Sequence, residues 1–314
     1  MLTRLVSLVV AAVVLGGCGS DQHSDTSVLS SNGGLLISSD WTGDWEVFVM
    51  DPESPILHQV VLHQVTHEGA FIVAGASQSE VEGFDFEGTW SPDGEQIALT
   101  TDRYEGFHLV IVDRDGQVLK RLTTGVGNGE PSWSPDGNQI AFRSDRTMDV
   151  ELFVINVDGS DVYQLTQSPG EDWTPTWSPD GARLAFSSRR YNGTWDIFTT
   201  LPDGTGISQL TSDEWDNWLP DWSPDGSRIA FSSNRDGNWD IFTMDTSGSS
   251  LRQVTTDSSL DFEPVWSPDG SRLAFASTRG DSGALEIFFV DLESGTVSAS
   301  GKSGYPTDWL VPTD

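Results

Sequence analysis

Short hydrophobic runs separated by polar turns recur along the chain from about residue 35 to residue 310. One kind of run is RIAFSS at residues 228–233 and RLAFAS at 272–277. A second kind follows each of these, as WDIFTM at 239–244 and LEIFFV at 285–290. The runs are rich in β-branched and aromatic residues and lack helical periodicity. They therefore predict β-strands joined by tight turns.

A repeated pentapeptide divides these runs into equal units. Trp-Ser-Pro-Asp-Gly starts at Trp90, Trp133, Trp177, Trp222 and Trp266, at intervals of 43, 44, 45 and 44 residues. Pro-Asp-Gly favours a turn, because Pro presets φ at the first central position and Gly supplies a positive φ. Each unit thus holds a strand ending in Trp-Ser, the two runs described above, and a fourth strand such as YQLT. Four short strands in such a period are typical of one propeller blade.

The two ends of the chain together supply the parts of one further unit. Residues 35–50 match the second and third strands of a unit, and HQVT at 63–66 supplies a fourth strand. Residues 305–310 match a first strand with no strands after it. We therefore predict an all-β, six-bladed β-propeller of four-stranded antiparallel blades. Pairing of the N- and C-terminal strands in one composite blade closes the ring and leaves no open sheet edge there.

The Ser-Pro-Asp-Gly repeat in a six-bladed ring resembles the TolB-like β-propeller family, a WD-like repeat family. The resemblance covers residues 33–311, and five copies of the signature make it specific for the fold. It implies a binding or scaffold role in the bacterial cell envelope. It implies no particular activity, because propellers host many functions.

The N-terminus has the features of an export signal. A basic Arg4 precedes an apolar stretch, and Leu15-Gly16-Gly17-Cys18 resembles a bacterial lipobox. We expect residues 1–17 to be a lipoprotein signal peptide, with lipid on Cys18, and residues 18–32 to be a flexible tether. The alternative is an ordinary signal peptide with an incidental cysteine. Lipidation would anchor the protein to the envelope, at the outer membrane, in the periplasm or on the cell surface.

The charge of the chain narrows the choice of partners. The formal net charge is −32, and loss of residues 1–17 removes only Arg4, giving 15 − 48 = −33. Such a surface repels nucleic acid and anionic lipid. We therefore expect a monomer that contacts the membrane through its lipid alone and binds a neutral or cationic partner. The acidity also fits a saline habitat, and part of it reflects turn chemistry.

The segment entering each first strand carries the candidate ligand-binding residues. Acids or amides recur five residues before the Trp, acids recur three before it, and aromatic residues recur four before it. Because first strands line the channel of a propeller, we expect an acidic, aromatic channel mouth that binds a peptide, a sugar or a cation such as Ca²⁺. The alternative is that the aromatics pack between blades and the acids bond to loop amides. The candidates are Asp85, Phe86, Glu87, Asn128, Glu130, Asp172, Trp173, Asn217, Trp218, Asp261, Phe262 and Glu263.

Other recurring charges favour a structural role. An arginine recurs in the second hairpin turn of each unit, and an acid recurs just before the apolar part of the third strand. We expect these to pair within each blade. The residues are Arg103, Arg146, Arg190, Arg235 and Arg279, with Glu46, Glu151, Asp196, Asp240 and Glu286.

The motifs favour a binding protein over an enzyme. The sequence has no G-x-S-x-G, no HExxH, no Cys-His pair and no phosphate-binding loop. The largest departure from the repeat is an insertion at residues 68–83, which could contact a partner or be a neutral surface loop. We expect a non-enzymatic, lipid-anchored envelope protein without a catalytic residue or a required cofactor, whose partner is an envelope protein or peptide. The alternative is a hydrolase or lyase that acts on carbohydrate or peptide at the channel mouth.

Overall fold

Six antiparallel sheets of four strands each form the blades of a propeller, as the sequence predicts. The described part of the chain contains no helix, and so none long and apolar enough to cross a membrane. Cys18 and the insertion at 68–83 lie outside the described residues. The computed structural model describes residues 34–39, 45–51, 62–64, 84–125, 127–191, 193–280 and 284–310.

One blade is built from both ends of the chain. Its strands are β1 (Leu35–Ser39), β2 (Glu46–Met50), β3 (Leu62–Gln64) and β24 (Tyr305–Trp309), in the spatial order β24-β1-β2-β3. In the β1–β24 pair, Leu35 lies opposite Trp309. This composite blade confirms the predicted closure of the ring.

The other five blades are continuous in sequence, and their first strands lie innermost. The twenty strands of blades 1 to 5, four to a blade in chain order, are β4 (Asp85–Trp90), β5 (Gln96–Thr101), β6 (His108–Asp113), β7 (Val118–Arg121), β8 (Asn128–Trp133), β9 (Gln139–Thr147), β10 (Asp149–Asn156), β11 (Tyr163–Gln164), β12 (Asp172–Trp177), β13 (Leu184–Ser188), β14 (Asp196–Thr200), β15 (Ser208–Gln209), β16 (Asn217–Trp222), β17 (Arg228–Ser233), β18 (Asp240–Asp245), β19 (Arg252–Gln253), β20 (Asp261–Trp266), β21 (Arg272–Ser277), β22 (Glu286–Asp291) and β23 (Val297–Ser303).

The hydrophobic core is divided among the six contacts between neighbouring blades. Between blades 1 and 2, for example, Ile111 of β6 packs with Trp133, Phe142 and Phe153. The Trp that ends each first strand lies in such a cluster, against the preceding blade. Burying an aromatic side chain of this size contributes about 1.5–3 kcal/mol relative to exposure. The blades are thus held together by large side chains of their second and third strands and by the Trp of each first strand.

The Pro-Asp-Gly turns satisfy their own polar groups. In blade 4 the Ser223 hydroxyl donates to Asp225 Oδ1 at 2.6 Å, and the amides of Ser227 and Arg228 donate to Asp225 Oδ1 and Ser223 Oγ. Gly226 adopts a φ of +68°, which only glycine tolerates without strain. Equivalent Ser–Asp contacts of 2.6–2.7 Å occur in the other four Trp-Ser-Pro-Asp-Gly turns. The repeated pentapeptide is therefore a self-contained turn at the end of the propeller away from the predicted mouth.

Candidate functional site

A cavity of about 640 Å³ lies on the propeller axis and is lined by the six innermost strands. Each strand contributes consecutive residues, such as Leu219, Pro220 and Asp221 in blade 4. Regular strands would turn alternate residues away from the axis. The innermost strands depart from that rule, because each carries an irregularity at this point.

The irregularity is a bulge with a left-handed residue at its centre. The residue three before the terminal Trp has a φ between 53° and 57° in blades 1 to 5. For residues other than glycine this region is sparsely populated and costs roughly 1–2 kcal/mol each. The left-handed backbone conformation directs these five side chains toward the cavity, and all five line it. They are Glu87, Glu130, Thr174, Leu219 and Glu263.

Hydrogen bonds between neighbouring blades hold the bulges in place. The amide of Glu130 donates to Glu87 Oε2 at 2.9 Å, and the amide of Thr174 donates to Glu130 Oε2 at 2.6 Å. In the other bulges a serine of the preceding blade accepts instead, as Ser187 does from Leu219 at 3.1 Å. Two glutamates are thus tied into the framework of the ring as well as facing the cavity.

Aromatic side chains form the entrance of the cavity. Trp218 stacks on Trp195 with ring centroids 5.0 Å apart, and Trp173 meets both rings edge-on. Across the opening Phe86 packs edge-on against Phe107 at 5.4 Å. The tryptophan rings pack across the contact between blades 3 and 4, the two phenylalanine rings pack within blade 1, and several of these rings also line the cavity. We define the aromatic collar as the lining residues Trp45, Phe84, Phe86, Phe107, Trp173 and Trp218.

Five carboxyl groups line the same cavity, with one basic side chain among the described lining residues. The carboxyls lie in two layers, three residues and one residue before the terminal Trp of their strands. The basic side chain is Arg143, whose Nε lies 3.2 Å from Glu130 Oε1 and whose guanidinium stacks on Trp173. We define the channel carboxyls as those of Glu87, Glu130, Asp221, Glu263 and Asp308.

Burial raises the pKa of several channel carboxyls. It raises the pKa of Glu130 to about 7, although Arg143 opposes this, and the nearby charge of Glu87 adds to it. It also raises the pKa of Asp221 to about 7, against the hydrogen bond from the Trp266 amide at 2.8 Å. The pKa of Glu263 is raised well above its ordinary value by burial and by the charges of Glu87 and Glu130. These carboxyls are therefore poorly compensated when ionised.

The acids and amides five residues before the Trp are not among the residues that line the cavity, unlike the arrangement expected from the sequence. Asp85 forms a buried ion pair with Arg103 at 2.9 Å, and Asp172 forms one with Arg190 at the same distance. Their strand position directs them into the blade, where the hairpin arginine satisfies them. The equivalent residues Asn128, Asn217 and Asp261 bond to Arg146, Arg235 and Arg279 in the same way.

These contacts also correct the expected partners of the hairpin arginines in three blades. In blades 2 to 4 the third-strand acids Glu151, Asp196 and Asp240 accept hydrogen bonds from threonines that lie two residues after the fourth strand. Because the arginines reach inward to the first strand, they are occupied by Asn128, Asp172 and Asn217. The arginines therefore do pair within their own blades, but with residues of the first strand instead of the acids of the third strand.

Six of the twelve candidates line the cavity: Phe86, Glu87, Glu130, Trp173, Trp218 and Glu263. Phe262 packs instead on Trp239, with centroids 5.3 Å apart, and is not among the lining residues. Sequence reasoning missed Trp45 and Phe107, although aromatic residues precede the third strand in four blades. It also missed the lower layer of carboxyls, Asp221 and Asp308, and the unusual Arg143.

The described residues offer no metal site. Among them, no group of three or more histidine, cysteine, aspartate or glutamate side chains is placed to hold a metal ion. Calcium needs six to eight oxygen ligands within 2.6 Å of a single point. Glu87, Glu130 and Glu263 project from separate blades, and two of them are already held by neighbouring amides. The described residues therefore give no support to Ca²⁺ as a cofactor.

Comparison with solved structures finds the same fold. A putative TolB from Agrobacterium tumefaciens matches with a TM-score of 0.63 and 25% identity, over 71% of this chain and 83% of that one. TolB from Acinetobacter baumannii matches with a TM-score of 0.71 and 20% identity, over 88% of this chain and 66% of that one. A puromycin-hydrolyzing peptidase from Mycobacterium tuberculosis matches with a TM-score of 0.60 and 16% identity, over 86% of this chain and 44% of that one. Oligogalacturonate lyases are also similar in fold.

Comparison at the level of sequence assigns the family. None of the curated proteins compared with the chain matches it significantly. Residues 59–217 and 205–308 match the family described as the TolB beta propeller domain, and together they span most of the chain. With the six observed blades and the five Trp-Ser-Pro-Asp-Gly turns, this match leads to one conclusion: the chain belongs to the TolB beta propeller domain family.

Proposed function

We propose that the protein is a non-enzymatic binding module of the bacterial cell envelope that holds a segment of a partner protein or peptide in its axial cavity. The observation that carries the proposal is the cavity itself, where an aromatic collar leads to carboxyl groups with too few donors. Aromatic walls with a few polar groups are the usual composition of a binding site. Family membership supports a binding or scaffold role.

The proposal includes attachment to a membrane through Cys18. The lipobox-like sequence before this residue and the polar segment after it support a tethered, exported protein. Replacement of Cys18 by serine is expected to move the protein from the membrane fraction to the soluble fraction. Retention of the variant in the membrane fraction, with no acyl group on the parent by mass spectrometry, would contradict the anchor.

Photo-crosslinking from the cavity mouth tests the binding role. A photoreactive phenylalanine analogue replaces Phe84, a residue of the aromatic collar that is 41% exposed. The matched control carries it at Leu119, which is 51% exposed on an outermost strand. In intact envelopes we expect a discrete crosslinked partner from position 84 and none from position 119. Crosslinks from position 119 alone, or from neither position, would contradict binding at the mouth.

The enzymatic alternative has weaker support. The matched peptidase and lyase structures are under 25% identical to this chain, so they speak for the shared fold alone. The raised carboxyl pKa values are compatible with acid–base chemistry, but they follow equally from burial without donors. Turnover of a peptide or oligosaccharide by the purified protein, lost on replacement of a channel carboxyl, would favour the enzyme.

A further inference from the structure

Glu263 differs from the other two channel glutamates because it lacks a hydrogen-bonding or ion-pair partner on the adjacent strand, which both of them have. Thr100 of the adjacent strand donates to Glu87 Oε2 at 3.1 Å, and Arg143 lies 3.2 Å from Glu130 Oε1. The residue at the equivalent position beside Glu263 is Ala276, which has no polar side chain. The adjacent strand therefore supplies Glu263 with no donor.

The next blade around the ring also fails to supply one. For the other two glutamates, the bulge residue of the next blade supplies an amide donor: Glu130 donates to Glu87, and Thr174 donates to Glu130. After Glu263 comes the composite blade, and Pro306 occupies the matching position, three residues before Trp309. Proline has no amide hydrogen. Glu263 Oε2 is accordingly buried without a hydrogen-bond partner, at a residue that lines the cavity.

An unpaired carboxyl in this position is costly unless a ligand pairs with it. A buried acceptor left without a donor costs about 1–3 kcal/mol, and more when it is charged. The surroundings increase the cost, because Glu87 and Glu130 are close enough to raise the pKa of Glu263. A neutral donor would satisfy one oxygen atom, whereas a cation would also offset the charges of the group.

The geometry favours a compact organic cation over a metal or a planar cation. No metal-binding group occurs among the described residues. A primary ammonium is a compact single charge with three donors, so it can approach the unpaired Oε2 of Glu263 while Glu87 and Glu130 favour its charge. A guanidinium is planar and favours bidentate contact with one carboxylate, and Arg143 already supplies such a group. An ammonium entering from the mouth would also pass the aromatic collar, whose faces attract cations.

Resting on the proposed function and deepening it, we propose that the cavity selects a partner segment by one primary ammonium group, that of a lysine side chain, which pairs with Glu263 beside the charges of Glu87 and Glu130. The collar encloses the alkyl part of the side chain. Ala276 and Pro306 occupy the two positions that carry donors in other blades. Because neither offers a donor, the Glu263 carboxyl group stays available to the ligand.

Blocked pentapeptides that differ only at the central residue test this proposal with the full-length protein. The probes are Gly-Gly-Lys-Gly-Gly and the same peptide with norleucine or arginine in place of lysine. Calorimetry and tryptophan emission measure their binding at fixed ionic strength. We expect the lysine peptide to bind at least about tenfold more tightly than the norleucine peptide, as for a charge-assisted contact in a partly desolvated site.

Three variants locate the effect. Glu263→Gln should bring the lysine and norleucine peptides to within about threefold, as should Ala276→Ser, which keeps the charge but adds the hydroxyl found in other blades. Glu293→Gln, which removes an exposed carboxyl outside the cavity lining, should leave the preference unchanged. An equal loss in Glu293→Gln would mean attraction to the acidic surface in general and would overturn the proposal.

The remaining outcomes separate this proposal from the proposed function. Equal binding of lysine and norleucine peptides, or a preference for arginine, would overturn the ammonium but keep a peptide-binding cavity. No binding of any peptide, with a partner still crosslinked from position 84, would overturn the ammonium alone. No binding and no crosslink from position 84 would overturn both.

Discussion

Asp221 and Asp225 lie four residues apart in blade 4, and their environments are opposite. Asp225 sits in the Pro-Asp-Gly turn, where hydrogen bonds from Ser223 and Ser227 lower its pKa to about 2. Asp221 lines the cavity, where burial raises its pKa to about 7 despite the hydrogen bond from the Trp266 amide. The carboxylate of Asp225 thus receives its hydrogen bonds from its own turn, whereas the carboxylate of Asp221 has too few donors.

The contrast separates structural from functional acids in a chain of uniformly acidic character. Every turn aspartate of the pentapeptide accepts hydrogen bonds from residues within two positions of itself. Three channel carboxyls, those of Glu87, Glu130 and Asp221, accept hydrogen bonds from amides of the neighbouring blade, and Glu263 Oε2 has no donor. Repetition of an acid along the sequence is therefore no guide to its role. The two roles differ in whether the fold supplies the carboxyl group with enough hydrogen-bond donors.

The largest expected effect comes from breaking a structural pair and comparing it with the channel arginine. Arg190→Met leaves Asp172 buried without its partner, and such losses cost about 3–5 kcal/mol. Arg143→Met should cost less than about 1 kcal/mol, because Glu130 borders the cavity and can take up a proton. Urea denaturation at pH 7 measures both. Equal losses of unfolding free energy in the two variants would contradict the distinction between structural and channel charges.

The next effect concerns Asp221 and pH. Its folded pKa of about 7 lies above the ordinary value of 3.8, so its protonated form stabilises the fold at low pH. That contribution is complete below about pH 4 and is lost as pH rises through 7. Asp221→Asn should therefore be more stable than the parent at pH 8, by roughly 1–3 kcal/mol, and no more stable at pH 4. Urea curves from pH 4 to 8 that run parallel for the two proteins would contradict this.

Asp225 should show the smallest effect, with the opposite sign. Its pKa is lowered from 3.8 to about 2, so its ionised form stabilises the turn above pH 4, and this contribution is lost as pH falls toward 2. Asp225→Asn should cost about 0.5–1.5 kcal/mol at pH 7 and progressively less in acid. Ser223→Ala, which removes the 2.6 Å donor, is the matched control and should have a similar pH dependence. A gain in stability at pH 8, as expected for Asp221→Asn, would be inconsistent with this account.

The fold was predictable because its determinants are local. The Pro-Asp-Gly turn and the alternating runs around Phe186, Phe231 and Phe275 specify each blade within one repeat. The match of residues 305–310 to a first strand then fixed the closure, which the pairing of Leu35 with Trp309 confirms. Neither inference required knowledge of long-range contacts.

The site was only partly predictable because its determinants are contacts between strands, several of which belong to different repeats. The position of Asp85 in the repeat was evident, but its burial against Arg103 depends on the hairpin of the same blade. The left-handed bulge at Glu87 and its equivalents is set by hydrogen bonds between blades, which no single repeat encodes. The absence of donors beside Glu263 becomes visible only when Ala276 and Pro306 are known to be its neighbours.

The most direct test measures the carboxyl groups themselves. Carbon-13 NMR of protein labelled at aspartate and glutamate carboxyl carbons, assigned with Asp221→Asn, Asp225→Asn and Glu263→Gln, gives each pKa with and without the lysine pentapeptide. We expect a pKa near 7 for Asp221, near 2 for Asp225 and well above 4.5 for Glu263, with only the value of Glu263 falling markedly when the peptide is added. Ordinary values for both channel carboxyls, or a Glu263 pKa that the lysine peptide does not change, would contradict an under-satisfied cavity that binds a cation.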